Sequence, residues 1–398
     1  MAVQTTSTLD YAIRTLYSGQ YQIGAQRARI YDMFAAPVSK MGIENAARLG
    51  QTVRVSFLSE MAPATTALSQ TADVTPQTVR DYYAEITSTS RGNALQFSEQ
   101  LAINEYTDFA AKAYGLVGKN MQDSVEILAV ATALAGTNVT RAAARASLDA
   151  GSSGHRFSDA SLVEAEVNLR TLGCPGWEGD NRPSFFAALH TAPYLDLVRG
   201  GNIVSIAQYQ NGAIILNNEL GQFGSFRLLA SADAKVFAGA GIDNGTAATD
   251  TLSSAATALA TTIAVSAGTN FSSGDWLNIG TEETSSTFYP TNERVKYVSG
   301  TTTVTIQGSG PNGGLRFDHA SGEAVNNNDN VYPVLFGGPS SIAKLFDAPT
   351  GEYGTLYGPE ISGLLHQFTS FSWKWYGGYG RWVEPWLLRG EYTYSGEA

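Results

Sequence analysis

Over residues 98–135 apolar side chains recur at helical spacing: Leu101, Tyr106, Phe109, Ala113, Leu116, Val117, Met121, Val125, Leu128 and Leu134, with no internal proline. The pattern predicts one long helix that stops at Gly136. At ~1.5 Å per residue it would run about 57 Å, roughly the width of a compact ball of this chain, so it would serve as a spine. A kink at Gly115 or Gly118 is the alternative. Ahead of it the period changes to two. Val53, Val55 and Phe57 alternate with polar residues, a polar stretch with Pro63 and Pro76 intervenes, and Val79, Tyr83 and Ile86 follow. Two strands with a long tip make a hairpin-like loop whose faces have no cover within the segment, so something must dock against it. Residues 1–48 carry Tyr11, Ile13, Leu16, Tyr21, Ile30, Tyr31 and Phe34 in no sustained period, and read as an extended arm that needs neighbours.

Further along, a second helix is predicted from 158 or 161 to 172, with Leu162, Ala165, Leu169 and Leu172 on one face and Ser161 with Glu164 as its capping box. The segment PSFFAALH (183–190) reads as a buried strand, 192–199 as a short helix, and GSFRLLAS (224–231) as another strand. Mixed elements with long connections indicate an α+β class. From 243 to 330 the chain turns rich in Thr, Ser, Gly and Asn, with short β runs at 262–265, 276–279, 294–298 and 303–306. This is the signature of a small all-β module with Trp276, Ile279, Val295, Tyr297 and Ile306 as its core. It is an insertion, because α+β-like sequence resumes at VYPVLFGG (331–338). Residues 368–394 close the chain with Trp373, Trp375, Tyr376, Trp382 and Trp386 in two strand-like runs around Gly377, Gly378 and Gly380.

Composition sharpens this picture. The 398 residues are enough for two to three domains, and 43% are apolar, but only 15% are charged against ~25% in typical soluble domains. An uncharged surface on a folded chain points to contact with other protein. With 25 basic and 36 acidic residues the net charge is -11, the wrong sign for gripping phosphates. The single Cys174 excludes an internal disulfide and a cysteine zinc cluster. The amino terminus lacks a basic start followed by an apolar run, and no stretch approaches the ~18 apolar residues of a span, so a soluble chain without export signal or membrane partner is expected.

Candidate chemistry is sparse. His155, His190, His319 and His366 form no HExxH or HxH arrangement, and none stands beside a carboxylate at ligand spacing, so no metal is expected. The glycine cluster FAGAGIDNG (237–245) has no following helix to cradle a phosphate and reads as the hinge into the β module. Glu282/Glu283 and Asp347/Glu352, with the Trp-rich end, could serve glycoside hydrolysis, but solvated charges and an aromatic sheet core explain the same residues. Cys174 has no positioned histidine to make it a nucleophile. No enzyme and no cofactor is expected.

The order of arm, long hairpin, spine helix, α+β domain with a late insertion and closing aromatic strands resembles the subunit of tailed-phage major capsid proteins, the Hong Kong ninety-seven fold. NALQFSEQLAI (93–103), NNELGQFGSFRLLAS (217–231), KVFAGAG (235–241) rejoined by VYPVLFGG (331–338), and SFSWKWYGG (370–378) are similar to the phage N-four-type major capsid family. The resemblance implies an arm at 1–48, an extended loop at 49–92, and a peripheral domain with the spine at 93–140. It implies an axial domain at 141–242 continued at 331–355, an inserted β domain at 243–330, and peripheral closing strands at 356–398.

It also implies pentamers and hexamers closing into a virion shell, assembled in the host cytoplasm with a portal and a separate scaffolding protein, around DNA held only by weak non-specific contact. The ribbon and arm residues Val53, Val55, Phe57, Val79, Tyr83, Tyr21 and Phe34 are then the candidate assembly contacts. Some members lock their shells through a lysine in the loop, whereas 49–91 contains none, so a non-covalent lattice is expected. The inserted module is expected as an outer protrusion. A secreted or fibre-type β-rich surface protein that binds carbohydrate is the alternative.

Overall fold

The computed structural model describes residues 31–37, 52–65, 67, 73, 75–103, 109–176, 185–200, 219–231, 234–242, 249–268, 271–281, 289, 291–310, 312–339, 341–346, 354–362 and 367–397. In chain order come β1 (Ala35–Pro37), β2 (Thr52–Leu58), β3 (Asp81–Thr87), β4 (Thr89–Ser98), α1 (Glu99–Ile103), α2 (Phe109–Leu134) and β5 (Val139–Thr140). Then follow α3 (Asp159–Thr171), β6 (Phe185–His190), α4 (Thr191–Arg199), β7 (Glu219–Phe223) and β8 (Phe226–Ser231). The inserted segment holds β9 (Thr249–Thr251), β10 (Thr262–Ala264), β11 (Trp276–Ile279), β12 (Glu293–Gly300), β13 (Thr303–Gln307) and β14 (Ala324–Asn326). The chain closes with β15 (Tyr332–Gly337), β16 (Ile342–Phe346), β17 (Thr355–Ser362), β18 (Phe368–Arg381) and β19 (Leu387–Tyr392). Two compact units result, one holding Ala35–Gln122 and Ile342–Val383, the other Asp123–Ser341 with Gln26–Phe34 and Glu384–Ala398.

The first unit is organised by β18, whose residues pair with β4 along one edge and with β17 and then β16 along the other. Alternation along β18 buries Phe371, Trp373 and Trp375 on one face, so the aromatic density is a sheet core. Helix α2 covers that face: Tyr114 meets the Phe371 ring edge-on at 5.5 Å, and Asn120 Oδ1 accepts the Trp373 indole N–H at 2.9 Å. The 26 residues of α2 run unbroken through Gly115 and Gly118, about 39 Å at ~1.5 Å per residue. The single spine read for 98–135 is described as α1 and α2, and its join at 104–108 lies outside the described residues.

In the second unit a mixed sheet runs β5-β19-β15-β6-β8-β7. Helix α3 lays Leu162, Ala165 and Leu169 onto a core with Phe185, Phe226, Phe336 and Leu388. Its start is Ser158, whose N–H donates to Ser161 Oγ at 3.4 Å, so Ser161 is the third helical residue and not the cap, while Leu172 is 44% exposed. The expected closing segment 356–398 divides: β17 and β18 belong to the first unit, but β19 pairs with β15 in the second. Likewise β15 and β16, expected together in 331–355, fall in different sheets. Strand partners are non-local, and local periodicity carries no information about them.

The inserted strands form an antiparallel sheet ordered β10-β13-β12-β11-β14-β9. Its two ends meet: Leu252 bridges Val265, the Ser253 N–H donates to the Ala264 carbonyl at 2.9 Å, and the Ser266 N–H donates to the Thr251 carbonyl at 2.9 Å. The module is therefore a closed barrel, filled by Leu252, Ile263, Leu277, Ile279, Val295, Tyr297, Val304, Ile306 and Val325. Closure leaves no open strand edge, which makes such a module tolerant of exposure. Trp276, read as core, is 44% exposed, because it stands one residue out of phase with buried Leu277 and Ile279.

A histidine clasp joins the 316–323 segment of the barrel to the start of β12. His319 Nδ1 lies 2.7 Å from Glu323 Oε2 and Nε2 lies 2.9 Å from Glu293 Oε1, so only the imidazolium can donate through both nitrogens. This corrects the reading that no histidine stands beside a carboxylate at ligand spacing, since Glu323 follows His319 by four residues. Glu293 also accepts the N–H groups of Arg316 and Phe317 at 2.9 and 3.2 Å, while Asp318 nearby accepts the Ala258 N–H. Burial lowers the His319 pKa, but its hydrogen bonds to Glu293 and Glu323 outweigh it and the value lies above the ordinary one. For Glu293 burial acts upward, yet the His319 and backbone hydrogen bonds prevail and the carboxyl titrates below its usual range.

The sign follows for each group. The histidine contribution is present below its unfolded pKa and is lost as pH rises through the raised folded value. That of Glu293 is present above its unfolded pKa and is lost as pH falls through the lowered one. Barrel stability should thus peak between the two and decline on the alkaline side beyond an ordinary histidine pKa of about 6.5. Thermal melts across pH should show that alkaline decline in the native chain and lose it in His319→Gln; equal slopes would refute the clasp.

Candidate assembly interface

The hairpin β2–β3 pairs in register from Thr52↔Thr87 to Leu58↔Asp81, so Val55 stands opposite Ala84 and Phe57 opposite Tyr82. Its base is docked on its own unit. Val53 and Ile86 pack with Ala343 and Leu345 of β16, with Trp382 beside them. This approach depends on glycines of β18. A Cβ at Gly378 would come 2.1 Å from the Thr87 carbonyl oxygen, and one at Gly380 would come 2.5 Å from Ile86 Cγ1. Gly380→Val should therefore lever the hairpin base off the sheet at a cost of about 1–3 kcal/mol. Faster tryptic cleavage at Arg54 and Arg80 would report it, and unchanged cleavage would contradict the docking.

Beyond Ile86 several large apolar side chains are exposed. Leu58 is 73% exposed, Met61 62%, Tyr82 55%, Tyr83 57% and Val79 42%. The Arg54 guanidinium pairs with Glu85 and lies 4.8 Å from the Tyr83 ring centre, holding that aromatic against the strand. Past the strands the two sides remain tied. The Ser59 N–H donates to the Arg80 carbonyl at 2.8 Å, and the Ala62 N–H donates to Gln77 Oε1 at 3.0 Å. The described residues of the ribbon thus expose large apolar side chains on both faces, the kind of patch found where a surface meets protein, ligand or membrane.

The residues read as assembly contacts divide accordingly. Val79 and Tyr83 lie in the exposed ribbon, and Val55 and Phe57 take strand positions in β2. Val53, 5% exposed, is spent inside its own unit, a correction that follows from the glycine-lined seat on β18. Phe34 is likewise buried and stacks on Phe186 at 3.7 Å, and Glu126 accepts the Tyr31 N–H at 2.8 Å, so residues 31–34 of the arm are held by their own chain. Tyr21 lies outside the described residues. Leu58, Met61 and Tyr82 were missed: Tyr82 shares the apolar face with Phe57, while Leu58 and Tyr83 stand isolated on a face otherwise formed by Thr52, Arg54, Ser56, Asp81, Glu85 and Thr87. A second apolar pair, Val163 and Val167, is exposed on α3 opposite its core stripe, legible in sequence from the i, i+4 spacing.

The remaining candidates sit in structural roles. Cys174 is buried against Gly338, and burial pushes its thiol up to about 12. His155 Nδ1 accepts the Asp149 N–H, and His190 Nδ1 accepts the Ala192 N–H at the start of α4. His366, Glu282/Glu283 and Asp347/Glu352 lie outside the described residues. Among the described residues no group of three or more His, Cys, Asp or Glu could hold a metal ion, and no helix is long and apolar enough to cross a membrane.

Compared by sequence, the chain matches no family model and no curated protein. Compared by structure, it is similar to the capsid of Ralstonia phage GP4 over 88% of this chain and 86% of that one, with a TM-score of 0.53 at 9% identity. It is similar to a chain of the cyanophage Pam1 capsid asymmetric unit over 93% and 91%, with a TM-score of 0.51 at 11% identity. A third likeness is to the capsid of cyanophage P-SCSP1u, over 93% and 90%, with a TM-score of 0.50 at 10% identity. The fold is that of tailed-phage capsid subunits.

Proposed function

We propose that this chain is the major capsid protein of a tailed phage, a structural subunit that assembles with copies of itself into the icosahedral shell around a double-stranded DNA genome. The observation that carries this reading is the capsid fold matched along nearly all of both chains, bearing a ribbon with five large apolar residues exposed among its described residues. A ribbon seated at its base and bare beyond it is suited to lie on a neighbouring subunit. The acidic chain, at net charge -11, suits a container that holds DNA without gripping it. Membership of the narrower N-four-type family, a portal, a separate scaffolding protein and assembly in the host cytoplasm belong to this proposal.

The test is assembly. The chain expressed with its scaffolding protein should sediment as particles of shell size, whereas a monodisperse monomer under all assembly conditions would sink the reading. With no lysine between residues 49 and 91, the lattice has no loop-lysine crosslink. Denaturing electrophoresis of mature particles should then give one monomer band, and a ladder of linked subunits would count against this.

A further inference from the structure

The inserted barrel leaves the mixed sheet after 242 and returns at 326–331, and both ends are fastened. Phe237 and Val331 exchange backbone hydrogen bonds at 2.9 and 3.1 Å. The asparagine run then wraps Gly239: Asn330 Oδ1 accepts its N–H at 2.9 Å, and Asn328 Nδ2 donates to its carbonyl at 3.3 Å. Asn326 lies so close that a Cβ on Gly239, whose φ is +62°, would fall 2.2 Å from its Oδ1. The low-complexity NNNDN stretch is thus the return connection, and it needs a glycine at 239.

A second fastening comes from the far end of the sequence. Glu397 has only 3% of its side chain exposed. It pairs with Arg294 on barrel strand β12, accepts the Asn330 backbone N–H at 2.8 Å and its Nδ2 at 3.2 Å, and accepts the Tyr332 hydroxyl on β15. The turn that carries it, Ser395–Glu397, is itself anchored to α4. The Ser395 N–H donates to Asp196 Oδ2 at 2.9 Å, and Arg199 donates to Ser395 Oγ at 3.0 Å. The Trp276 ring lies over the Arg294 guanidinium at 5.1 Å, which accounts for a half-exposed tryptophan on the barrel without a sugar to stack on it.

We infer that the turn Ser395–Glu397 is a latch that fixes the inserted barrel in one pose on the mixed sheet, with Glu397 joining barrel, return strand and sheet through a single buried carboxylate. Any two of these parts could otherwise move about the 242 and 326–331 connections while the closed barrel stayed folded. The surface that the barrel offers outward is then set by the latch and not by the barrel's own fold. This inference does not depend on the chain being a shell subunit.

Hydrogen exchange on the full-length chain separates pose from fold. In Glu397→Ala, the hinge peptide over 326–332 should exchange about tenfold faster, while barrel strands β11–β13 keep native protection. Arg294→Gln, which breaks only the ion pair, should accelerate the same peptide by a smaller factor, and the double variant should add little to Glu397→Ala, because Arg294 acts through Glu397. Glu397→Gln, which keeps an acceptor for Asn330 and Tyr332, should be intermediate and guards against a misfolded alanine variant. Native protection of the hinge in both Glu397→Ala and Arg294→Gln would overturn the latch. So would equal acceleration in hinge and barrel strands, since Glu397 would then support the barrel's folding and not its pose.

Discussion

Replacing Leu58, Tyr82 and Tyr83 together by serine leaves a folded subunit that no longer assembles. These side chains are 73%, 55% and 57% exposed, so their loss removes little that the subunit needs, and its melting temperature should hardly change. In a shell they would be buried on a neighbour. A large apolar side chain contributes ~1.5–3 kcal/mol on burial, so three together are worth about 5 kcal/mol or more per contact. That is more than three decades in the association constant, repeated at every subunit. Sedimentation velocity should find the variant at the monomer or ring boundary under conditions where the native chain forms particles. Normal particles from the triple variant would mean that the ribbon is not an assembly contact.

Glu391→Ala should be the most damaging single substitution in the second unit. Its side chain is fully buried and meets three guanidinium groups: Arg145 at 2.6 Å, Arg389 at 2.9 Å and Arg141 at 3.1 Å. Burial pushes the Glu391 carboxyl upward, but the three arginines outweigh it and hold it below the usual carboxylate range. Arg389 shifts downward, because burial and the other two arginines oppose its carboxylate partner. One anion is thus shared by three cations, and removing it leaves buried positive charge facing itself. The cost should be ~3–5 kcal/mol, or about 10 °C in melting temperature for a unit of this size. The lowered carboxylate pKa places its stabilisation above the unfolded value, lost as pH falls through the folded one. Native protein should therefore lose stability in acid more steeply than the variant. Equal melting temperatures at neutral pH would contradict this account of the cluster.

Elements governed by local pattern were legible in the sequence. The buried run of β6, the core stripe of α3 and the long periodic stretch of α2 follow from side-chain spacing alone. What escaped was set by distant residues. Val53 and Ile86 look coverless within their segment, and only the register of β18 brings Gly378 and Gly380 beneath them. Trp276 looks like core because tryptophan usually is, but strand phase against Leu277 turns it outward over Arg294. The sheet of β19 depends on β15, more than fifty residues earlier, and Glu293, one of the two carboxylates on His319, stands 26 residues away. Of the candidate assembly residues, Tyr83 and Val79 are exposed, and their exposed neighbour Leu58 was hidden because it stands on the otherwise polar face of the ribbon.

Cryo-electron microscopy of the purified assembly product decides whether this subunit builds a shell. Closed shells with five- and six-fold clusters of the subunit are expected, in which Leu58, Met61, Tyr82 and Tyr83 are covered by an adjacent copy. Fibres, dispersed monomers, or shells in which that ribbon end remains in solvent would contradict this.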